Sequence, residues 1–340
     1  MTPPPARPRV LLLCGGRSAE HEVSLASARS LIEGTSERVA WEPRVIDRDG
    51  RWLDAEASRL VLRGEGAPAT GGPIDLEALT GTDAVFPLLH GPFGEDGRLQ
   101  GLFEVLDVRY VGSGVLGSAV GMDKLAMKAV LGAAGLPQVA HEGVTRDAWR
   151  RAPDAVRARL DGLGWPVYVK PANLGSSIGI ARADDPAGRD AALEAAFGYD
   201  RRAIVERAFP DKRELEVAVL GLDDPEASVV GEISFGSDFY DYATKYEAGR
   251  ARLDVPADVP DRVADACRAL ARRAFLAVDA AGLARVDLFW SPTRDELVVN
   301  EINTMPGFTA TSMYPRLWVA SGVPYPELAA RLVALAFADR

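Results

Sequence analysis

The segment 284–302 has the pattern of two antiparallel strands joined by a turn at residues 291–296. Side-chain alternation places Arg285 and Asp287 on one face of the first strand, and pairing about the turn sets Asp287 opposite Glu301. Two carboxylates that face each other destabilise a sheet unless a cation lies between them. The hairpin therefore predicts a sheet with one charged face that binds a cation.

The same face is predicted to carry Phe289, Val299 and Asn303. Carboxylate and amide oxygens suit Mg²⁺, which proteins commonly hold with one or two carboxylates and substrate phosphates. The alternative is a solvated face on which Arg285 neutralises both carboxylates. Because Phe289 and Val299 are apolar, a fully hydrated face is less favourable. We therefore predict a metal site formed by the two carboxylates and Asn303.

The N-terminal third alternates strands with helices. Residues 9–13, 41–47 and 84–88 have strand patterns, and a helix is predicted after the first of them. Such alternation predicts a parallel α/β sheet, which binds ligands beyond the carboxyl ends of its strands. The loops 15–22 and 90–97 each follow a strand, so we expect them to line a ligand site.

Further strand patterns predict a second sheet, at residues 167–170, 204–206 and 214–220, and a third region contains a long helix over 260–278 and the hairpin. A helix is also predicted over 122–136. The predicted fold class is α/β, with α+β character after the first sheet. The predicted domains are residues 1–121, 122–221 and 222–340.

Composition restricts the partners of this 340-residue chain. Lys and Arg total 39 against 49 Asp and Glu, a net charge of −10. The acidic balance argues against a nucleic-acid partner, because phosphate binding needs a basic face. No apolar run approaches the roughly 18 residues of a membrane helix, and two cysteines make no disulfide framework. We expect a cytoplasmic protein that acts on small molecules.

Lysine is rare here and therefore informative, since only five basic residues are Lys: Lys124, Lys128, Lys170, Lys212 and Lys245. Where Lys is kept, a compact point charge is needed. We predict that Lys128 and Lys212 are the exceptions, on solvated surface. Lys170 ends a strand before a Gly- and Ser-rich loop over 171–179, whose backbone N–H groups can approach an anion. This loop predicts a phosphate cradle, with a flexible turn as the alternative.

Two later segments suggest how a reaction could be enclosed. Residues 239–246 combine three tyrosines with Lys245, which favours a mobile lid over an edge strand. Residues 301–313 run from the predicted metal strand to a helix start, where Gly307 and Ser312 offer donors for a carboxylate or an oxyanion.

A G-x-G-x-x-G pattern at residues 112–117 is typical of dinucleotide-binding proteins. A dinucleotide site also needs an acidic residue about 20 positions on, for the ribose, and the stretch 128–140 has none. We interpret the pattern as a tight turn, and an NAD-dependent oxidoreductase remains only a remote alternative.

In this order, the segments resemble the ATP-grasp superfamily and, more closely, the D-alanine–D-alanine ligase family. The resemblance spans nearly the whole chain, at residues 15–24, 90–97, 122–124, 170–179, 239–246 and 300–312. It implies three domains, with ATP held between the second and third. It implies ATP-dependent ligation of two D-alanine molecules through D-alanyl phosphate, for peptidoglycan synthesis. It also implies two Mg²⁺ ions, a homodimer, and Mn²⁺ and a monovalent cation as open alternatives.

The resemblance assigns roles by motif position. The implied catalytic residues are Glu20, Ser176, Tyr246, Arg285 and Gly307. The implied D-alanine-binding residues are Glu20, His90, Ser312 and Met313. The implied ATP-binding residues are Lys124, Tyr168, Lys170, Ser177, Glu206, Arg207, Ala208, Phe209, Glu214, Lys245, Phe289 and Asn300. Among them, the stretch 206–209 is implied on the adenine side, with Tyr168 and Phe289 as candidate apolar walls for adenine and Glu214 at the ribose. The implied metal ligands are Asp287, Glu301 and Asn303.

The resemblance leaves three other functions open. Relatives that form D-alanyl-D-lactate carry His in the lid, so Tyr246 implies the dipeptide instead. A second alternative is an ATP-grasp carboxylate–amine ligase for another amino acid. The third is a nucleotide-binding regulatory protein without turnover, which would have no need for an oxyanion arginine at Arg285.

Overall fold

The computed structural model describes residue 5 and residues 7–66, 71–175, 178–235 and 251–338. Its N-terminal sheet has three parallel strands in the order β2-β1-β3. These are β1 (Arg9–Gly15), β2 (Ala40–Ile46) and β3 (Ala84–Pro87). The predicted parallel α/β sheet is thus confirmed, with strand ends within two residues of those predicted.

Five helices accompany this sheet: α1 (His21–Thr35), α2 (Ala55–Arg63), α3 (Leu76–Thr80), α4 (Arg98–Val105) and α5 (Val115–Met122). The apolar side chains of β1 are fully buried, and Cys14 among them is a core residue. Gly15 ends β1 with φ +86°, and a Cβ there would lie 2.4 Å from the carbonyl oxygen of Ile46. Only glycine fits this turn, which directs the chain into the first ligand loop.

The helix predicted over 122–136 is confirmed with shorter bounds, because Met122 belongs to α5. The chain breaks at Asp123, and α6 (Lys124–Ala133) begins there as a separate helix. The carboxylate of Asp123 accepts from the N–H groups of Leu125 and Ala126, at 3.1 and 3.0 Å. A short acidic side chain satisfies the free N–H groups of a helix start, so Asp123 favours the cap over the helix interior.

The second sheet has four antiparallel strands in the order β4-β7-β5-β6. Its strands and helices are, along the chain, β4 (His141–Thr145), α7 (Arg146–Arg151), α8 (Pro153–Asp161), β5 (Val167–Pro171), β6 (Ala181–Ala183), α9 (Pro186–Ala196) and β7 (Arg202–Arg207). Val167, Val169 and Val205 pack with these helices in one apolar core. Tyr168, Lys170 and the residues paired with them therefore occupy the opposite face.

The third sheet has five strands in the order β10-β9-β8-β11-β12. The elements are β8 (Arg213–Gly221), β9 (Glu226–Phe235), β10 (Ala251–Asp254), α10 (Asp261–Ala277), β11 (Gly282–Ser291), β12 (Glu296–Asn303), α11 (Met313–Ala320) and α12 (Tyr325–Leu335). The prediction that residues 214–220 belong to the second sheet is wrong. Leu215, Val217 and Val219 bury against the core below α10, so β8 lies at the centre of the third sheet. The proposed division into three domains remains a prediction.

One apolar core joins the beginning and end of the chain. Phe308 is fully buried, and its ring lies 5.8 Å from that of Phe86 and 5.9 Å from that of Tyr314, between ring centroids. The loop before α11 is thereby fixed against the N-terminal sheet. None of the helices in the described ranges is long and apolar enough to cross a membrane.

Candidate active site

A buried ion cluster lies on the open face of the four-stranded sheet. The Nζ of Lys170 is 2.5 Å from Oε2 of Glu206, and the Nζ of Lys128 is 3.3 Å from Oε1. Burial alone would raise the pKa of Glu206, but Lys128 and Lys170 hold that pKa far below its usual value. Burial likewise opposes the charge of Lys170, yet Glu206 and Glu301 together raise its pKa. Lys170 therefore remains a cation in the cleft.

The prediction that Lys128 lies on solvated surface is wrong, because its side chain is only 1% exposed. Its position on α6 turns it inward, where the buried ammonium group is paired with Glu206. The rarity of lysine in this chain was the signal that could have identified it.

Glu206 was predicted at the adenine of ATP. The structure places its carboxylate between Lys128 and Lys170.

Lys124 closes one end of the phosphate-cradle loop. Its backbone N–H donates to the carbonyl of Ala172 at 3.0 Å, and its Nζ donates to the carbonyl of Leu174 at 2.5 Å. Burial lowers the pKa of Lys124, and the nearby charge of Glu301 opposes that shift. The loop after β5 is thus held beside two predicted phosphate-binding lysines, as the sequence implied.

Three carboxylates lie side by side on the open face of the five-stranded sheet. Asp287 on β11 pairs in register with Glu216 on β8 and with Glu301 on β12. The predicted pairing of Asp287 with Glu301 is confirmed. Arg285 lies among them, with Nε 2.6 Å from Oδ1 of Asp287 and 3.1 Å from Oε2 of Glu216. Sequence reasoning missed Glu216, although its alternation with buried Leu215 marked the open face.

The prediction that Val299 shares this face is wrong. A β-bulge shifts the register, so Val299 pairs with Leu288 and Asn300 has no partner on β11. Val299 is consequently fully buried in the core on the other side of the sheet. An extra residue in one strand reverses the facing of all residues beyond it. The alternation of Glu301 and Asn303 was unaffected because both lie on the same side of the bulge.

These groups fit Mg²⁺ once phosphate oxygens join them. Among the residues that the structure describes, no three His, Cys, Asp or Glu side chains form a metal site on their own. Arg285 neutralises part of this row, and Mg²⁺ usually takes one or two carboxylates plus substrate phosphates. Asp287, Glu301 and Asn303 are placed to supply those oxygens, Asn303 lying opposite Arg285 in the ladder.

Aromatic side chains form the wall where adenine was predicted. The rings of Phe209 and Phe289 are stacked with centroids 6.0 Å apart. The Nζ of Lys212 lies 4.6 Å from the Phe289 ring centroid, 5.8 Å from that of Tyr168 and 2.6 Å from Oε1 of Glu214. Lys212 is exposed, as predicted, and it lies at the outer edge of this aromatic wall.

The two remaining residues predicted on the adenine side, Arg207 and Ala208, are positioned by backbone hydrogen bonds. The N–H of Arg207 donates to the carbonyl of Ala140 at 2.9 Å, and its side chain is exposed. The N–H of Ala208 donates to the carbonyl of Pro166 at 2.9 Å. Their roles toward ATP stay predictions.

Glu20 reaches from the N-terminal sheet to the cradle loop. A Cβ on Gly91 would lie 2.9 Å from its Oε2, and a Cβ on Gly175 would lie 3.1 Å from the same atom. Two glycines thus let one carboxylate approach both loops. Glu20 therefore lies next to the described start of the cradle loop, and its implied catalytic role with Ser176 and Tyr246 stays a prediction.

His90 is buried beside Glu20. Its Nδ1 donates to the carbonyl of Met305 at 2.8 Å, while its Nε2 is buried without a hydrogen-bond partner in the described ranges. Burial lowers the pKa of His90, and the charge of Glu20 opposes this shift. His90 is therefore held as the neutral imidazole.

Glu95 is a further buried carboxyl in this region, which the sequence analysis missed. It accepts a hydrogen bond from the N–H of Gly91 at 2.9 Å, and burial raises the pKa of its carboxyl to about 8.

The loop before α11 forms the other end of the site. The Oγ of Ser312 lies 2.7 Å from Oγ1 of Thr309 and accepts from its N–H at 3.1 Å. A Cβ on Gly307 would lie 3.3 Å from the same Oγ, so these residues are adjacent. The side chain of Met313 packs in the core, which leaves its backbone N–H at the helix start as the group for a carboxylate. The predicted Ser176, Ser177, Lys245 and Tyr246 lie outside the described residues.

The charged faces of the two antiparallel sheets lie close together, since Lys128 contacts both Glu206 and Asn300 and the charge of Glu301 acts on Lys170. One side carries Lys170 and Glu206, and the other carries the row of three carboxylates. This fold and this site define an ATP-grasp enzyme.

Comparisons with known proteins give the family. The D-ala D-ala ligase N-terminus model matches residues 9–113, and the D-ala D-ala ligase C-terminus model matches residues 130–334. The D-alanine–D-alanine ligase of Deinococcus radiodurans is 54% identical over 98% of this chain and 99% of its own length. This chain therefore belongs to the D-alanine–D-alanine ligase family.

Solved structures agree with this assignment. The VanG D-Ala:D-Ser ligase of Enterococcus faecalis superposes with a TM-score of 0.85 at 31% identity, covering 97% of this chain and 99% of that one. The D-alanine–D-alanine ligase of Coxiella burnetii gives a TM-score of 0.82 at 35% identity, covering 98% and 94%. The predicted family and fold class are both confirmed.

Proposed function

We propose that this chain uses ATP to join two D-alanine molecules into D-alanyl-D-alanine, a precursor for peptidoglycan. The observation that carries the proposal is the cleft itself. Lys170 on one sheet faces the row formed by Glu216, Asp287 and Glu301 on the other. Phosphoryl transfer depends on positioning and on neutralising charge more than on covalent help. Lysines opposite metal-binding carboxylates supply both.

The reaction has two steps. The carboxylate of the first D-alanine attacks the γ-phosphorus of ATP, which gives D-alanyl phosphate and releases ADP. The amine of the second D-alanine attacks the acyl carbon, loses a proton, and expels inorganic phosphate. Lys124 and Lys170 hold the phosphate oxygens, and the guanidinium of Arg285 with the N–H of Gly307 stabilises the tetrahedral oxyanion. Bound Mg²⁺ supplies charge neutralisation on the phosphates, held by Asp287, Glu301 and Asn303.

The amino-acid sites follow from the loops at either end of the cleft. Glu20 binds the ammonium group of the first D-alanine, next to the neutral imidazole of His90. Ser312 and the N–H of Met313 bind the carboxylate of the second. Ser176 of the cradle loop and the lid residues Lys245 and Tyr246 complete the enclosure. The proposal further includes two Mg²⁺ ions, a homodimer and a location in the cytoplasm.

A second amino acid other than D-alanine is the alternative to test. One similar structure is a D-Ala:D-Ser ligase at 31% identity. D-Serine differs from D-alanine by one hydroxyl group, and an apolar pocket rejects such an isostere only weakly. The dipeptide D-alanyl-D-serine is therefore the competing product.

The decisive experiment measures phosphate release from Mg-ATP with D-alanine, L-alanine, D-serine or D-lactate, with the product mass determined. We expect release with D-alanine and the mass of D-alanyl-D-alanine. Turnover that requires D-serine as well as D-alanine would assign the second substrate to D-serine. If ATP binds but none of these compounds leads to phosphate release, the result would favour a nucleotide-binding regulatory protein.

A further inference from the structure

Lys128 has no role in the reaction described so far, yet it connects both halves of the nucleotide cleft. It lies on α6 with its side chain 1% exposed. Its Nζ is 3.3 Å from Oε1 of Glu206 on the four-stranded sheet. The same Nζ donates to the carbonyl of Asn300 on the five-stranded sheet at 2.9 Å. A buried ammonium is costly unless it is paired, so both contacts define where the two strands lie.

The contact to Asn300 falls on the bulge of the metal-binding strand. Asn300 is the residue without a register partner on β11, so its carbonyl is available to a donor from outside the ladder. Directly after the bulge comes Glu301, which faces the cleft opposite Asp287. Lys128 therefore anchors the point at which this strand changes its facing.

The contact between Lys128 and Glu206 affects the charge balance on the four-stranded sheet. Glu206 is shared between Lys128 and Lys170, with one oxygen paired to each. Without Lys128, the whole charge of a buried carboxylate would act on Lys170 alone. Lys170 would then be held by Glu206 instead of meeting a phosphate.

We infer that Lys128 is a positioning residue for nucleotide binding. It fixes Glu206 and the Asn300 bulge relative to each other, and it balances Glu206 so that Lys170 can bind phosphate. This inference rests on the proposed function, because it assumes that the cleft holds ATP.

A double-mutant cycle tests the inference. The dissociation constant of Mg-ATP is measured without D-alanine for the wild type, Lys128→Met, Glu206→Gln and the double variant. Lys128→Met should weaken ATP binding at least about tenfold, since coupled neighbours in one ion network interact by this order. In the Glu206→Gln background the same change should have a clearly smaller effect, because the charge to be balanced is gone and only the contact with Asn300 is lost.

Arg189→Met is the matched control for loss of a buried cation. Arg189 is also 1% exposed in the same part of the chain, and it pairs with Asp161 and Asp190 away from the cleft. Its loss should lower the thermal midpoint while leaving the ATP dissociation constant unchanged. If Lys128→Met does not fold, Lys128→Gln takes its place in the cycle, because its amide can still donate to the carbonyl of Asn300 while the positive charge is lost.

Three results would overturn the inference. The first is an unchanged ATP dissociation constant in Lys128→Met. The second is an equal loss in both backgrounds, and the third is an equal loss in Arg189→Met. Because binding is measured without D-alanine, a wild type that binds ATP but makes no dipeptide would refute the proposed function alone. A wild type that binds no ATP would refute both.

Discussion

The Nδ1 of His90 lies 2.8 Å from the carbonyl oxygen of Met305, a residue 215 positions further along the chain. This bond connects the loop after β3 to the loop before α11. It fixes the imidazole beside Glu20 and sets the spacing between the two ends of the amino-acid site. One neutral hydrogen bond therefore holds together loops from opposite ends of the sequence.

Replacing His90 by Ala should raise the KM for D-alanine at least about tenfold and cost about 1–3 kcal/mol of unfolding free energy, because the Met305 carbonyl loses its partner. Steady-state kinetics and denaturant unfolding measure both effects. His141→Ala is the control, since in the described part of the chain its ring bonds to the carbonyl of Val139, two residues away, at 3.1 Å. Equal behaviour of the two variants would contradict a role for His90 in D-alanine binding.

Stability should fall with rising pH through Glu95. Burial and the neighbouring Glu20 raise the pKa of Glu95 from 4.5 to about 8. A raised folded-state pKa contributes stability that is complete below the unfolded value and is lost as the pH rises to the folded one. The Glu95→Gln side chain cannot ionise. Its free energy of unfolding should therefore rise relative to that of the wild type between about pH 5 and pH 8, by up to about 1.4 kcal/mol per pH unit.

Urea unfolding of both proteins across this pH range measures the effect. Glu33→Gln, at an exposed position on α1, is the control, and its free energy of unfolding should differ from that of the wild type by the same amount at every pH. A Glu95→Gln difference that stays flat with pH would mean that the carboxyl ionises normally in the folded protein.

Asp287→Asn should reduce D-alanine-dependent phosphate release at least about 100-fold, since it removes one carboxylate of the metal-binding row. The fold should survive, because Arg285 keeps its contact with Glu216. Asp295→Asn is the control in the same hairpin. Asp295 is exposed, pairs with Arg262, and has φ +53°, which Asn tolerates. Near-normal turnover of Asp287→Asn would refute the metal assignment.

Arg285→Lys keeps the charge but loses the planar fork that contacts Asp287 through two nitrogens. We expect kcat to fall at least about 100-fold while the KM for ATP changes little, because the oxyanion forms only in the transition state. Full steady-state kinetics separate the two constants. A change confined to KM would show that Arg285 serves ground-state binding instead.

Much of the fold could be read from local patterns. Strand alternation gave the hairpin and the pairing of Asp287 with Glu301, and both are confirmed. The same rule failed for Val299, because one bulge residue reverses the facing of everything beyond it. Alternation also could not say which sheet residues 214–220 join, since a strand with one buried face fits either.

The lysines show a second limit of the sequence. Their rarity correctly marked Lys170 for a special environment, but Lys128 was assigned to the surface and is buried. Burial of a lysine depends on whether a carboxylate and a carbonyl meet its Nζ, and neighbours along the chain do not reveal that. The partners of Lys128 are Glu206 and, 172 positions away, Asn300.

The sequence alone determined the strand pattern, the family resemblance and the kinds of chemistry available, because these depend on residue type and on spacing within short segments. Only the tertiary structure decided which distant groups share one space. Glu216 joins Asp287 and Glu301 in a row, Lys128 bridges two sheets, and Glu95 is buried beside His90. Long-range packing sets these distances and the local dielectric environment, and both fix charge states that residue identity leaves undetermined.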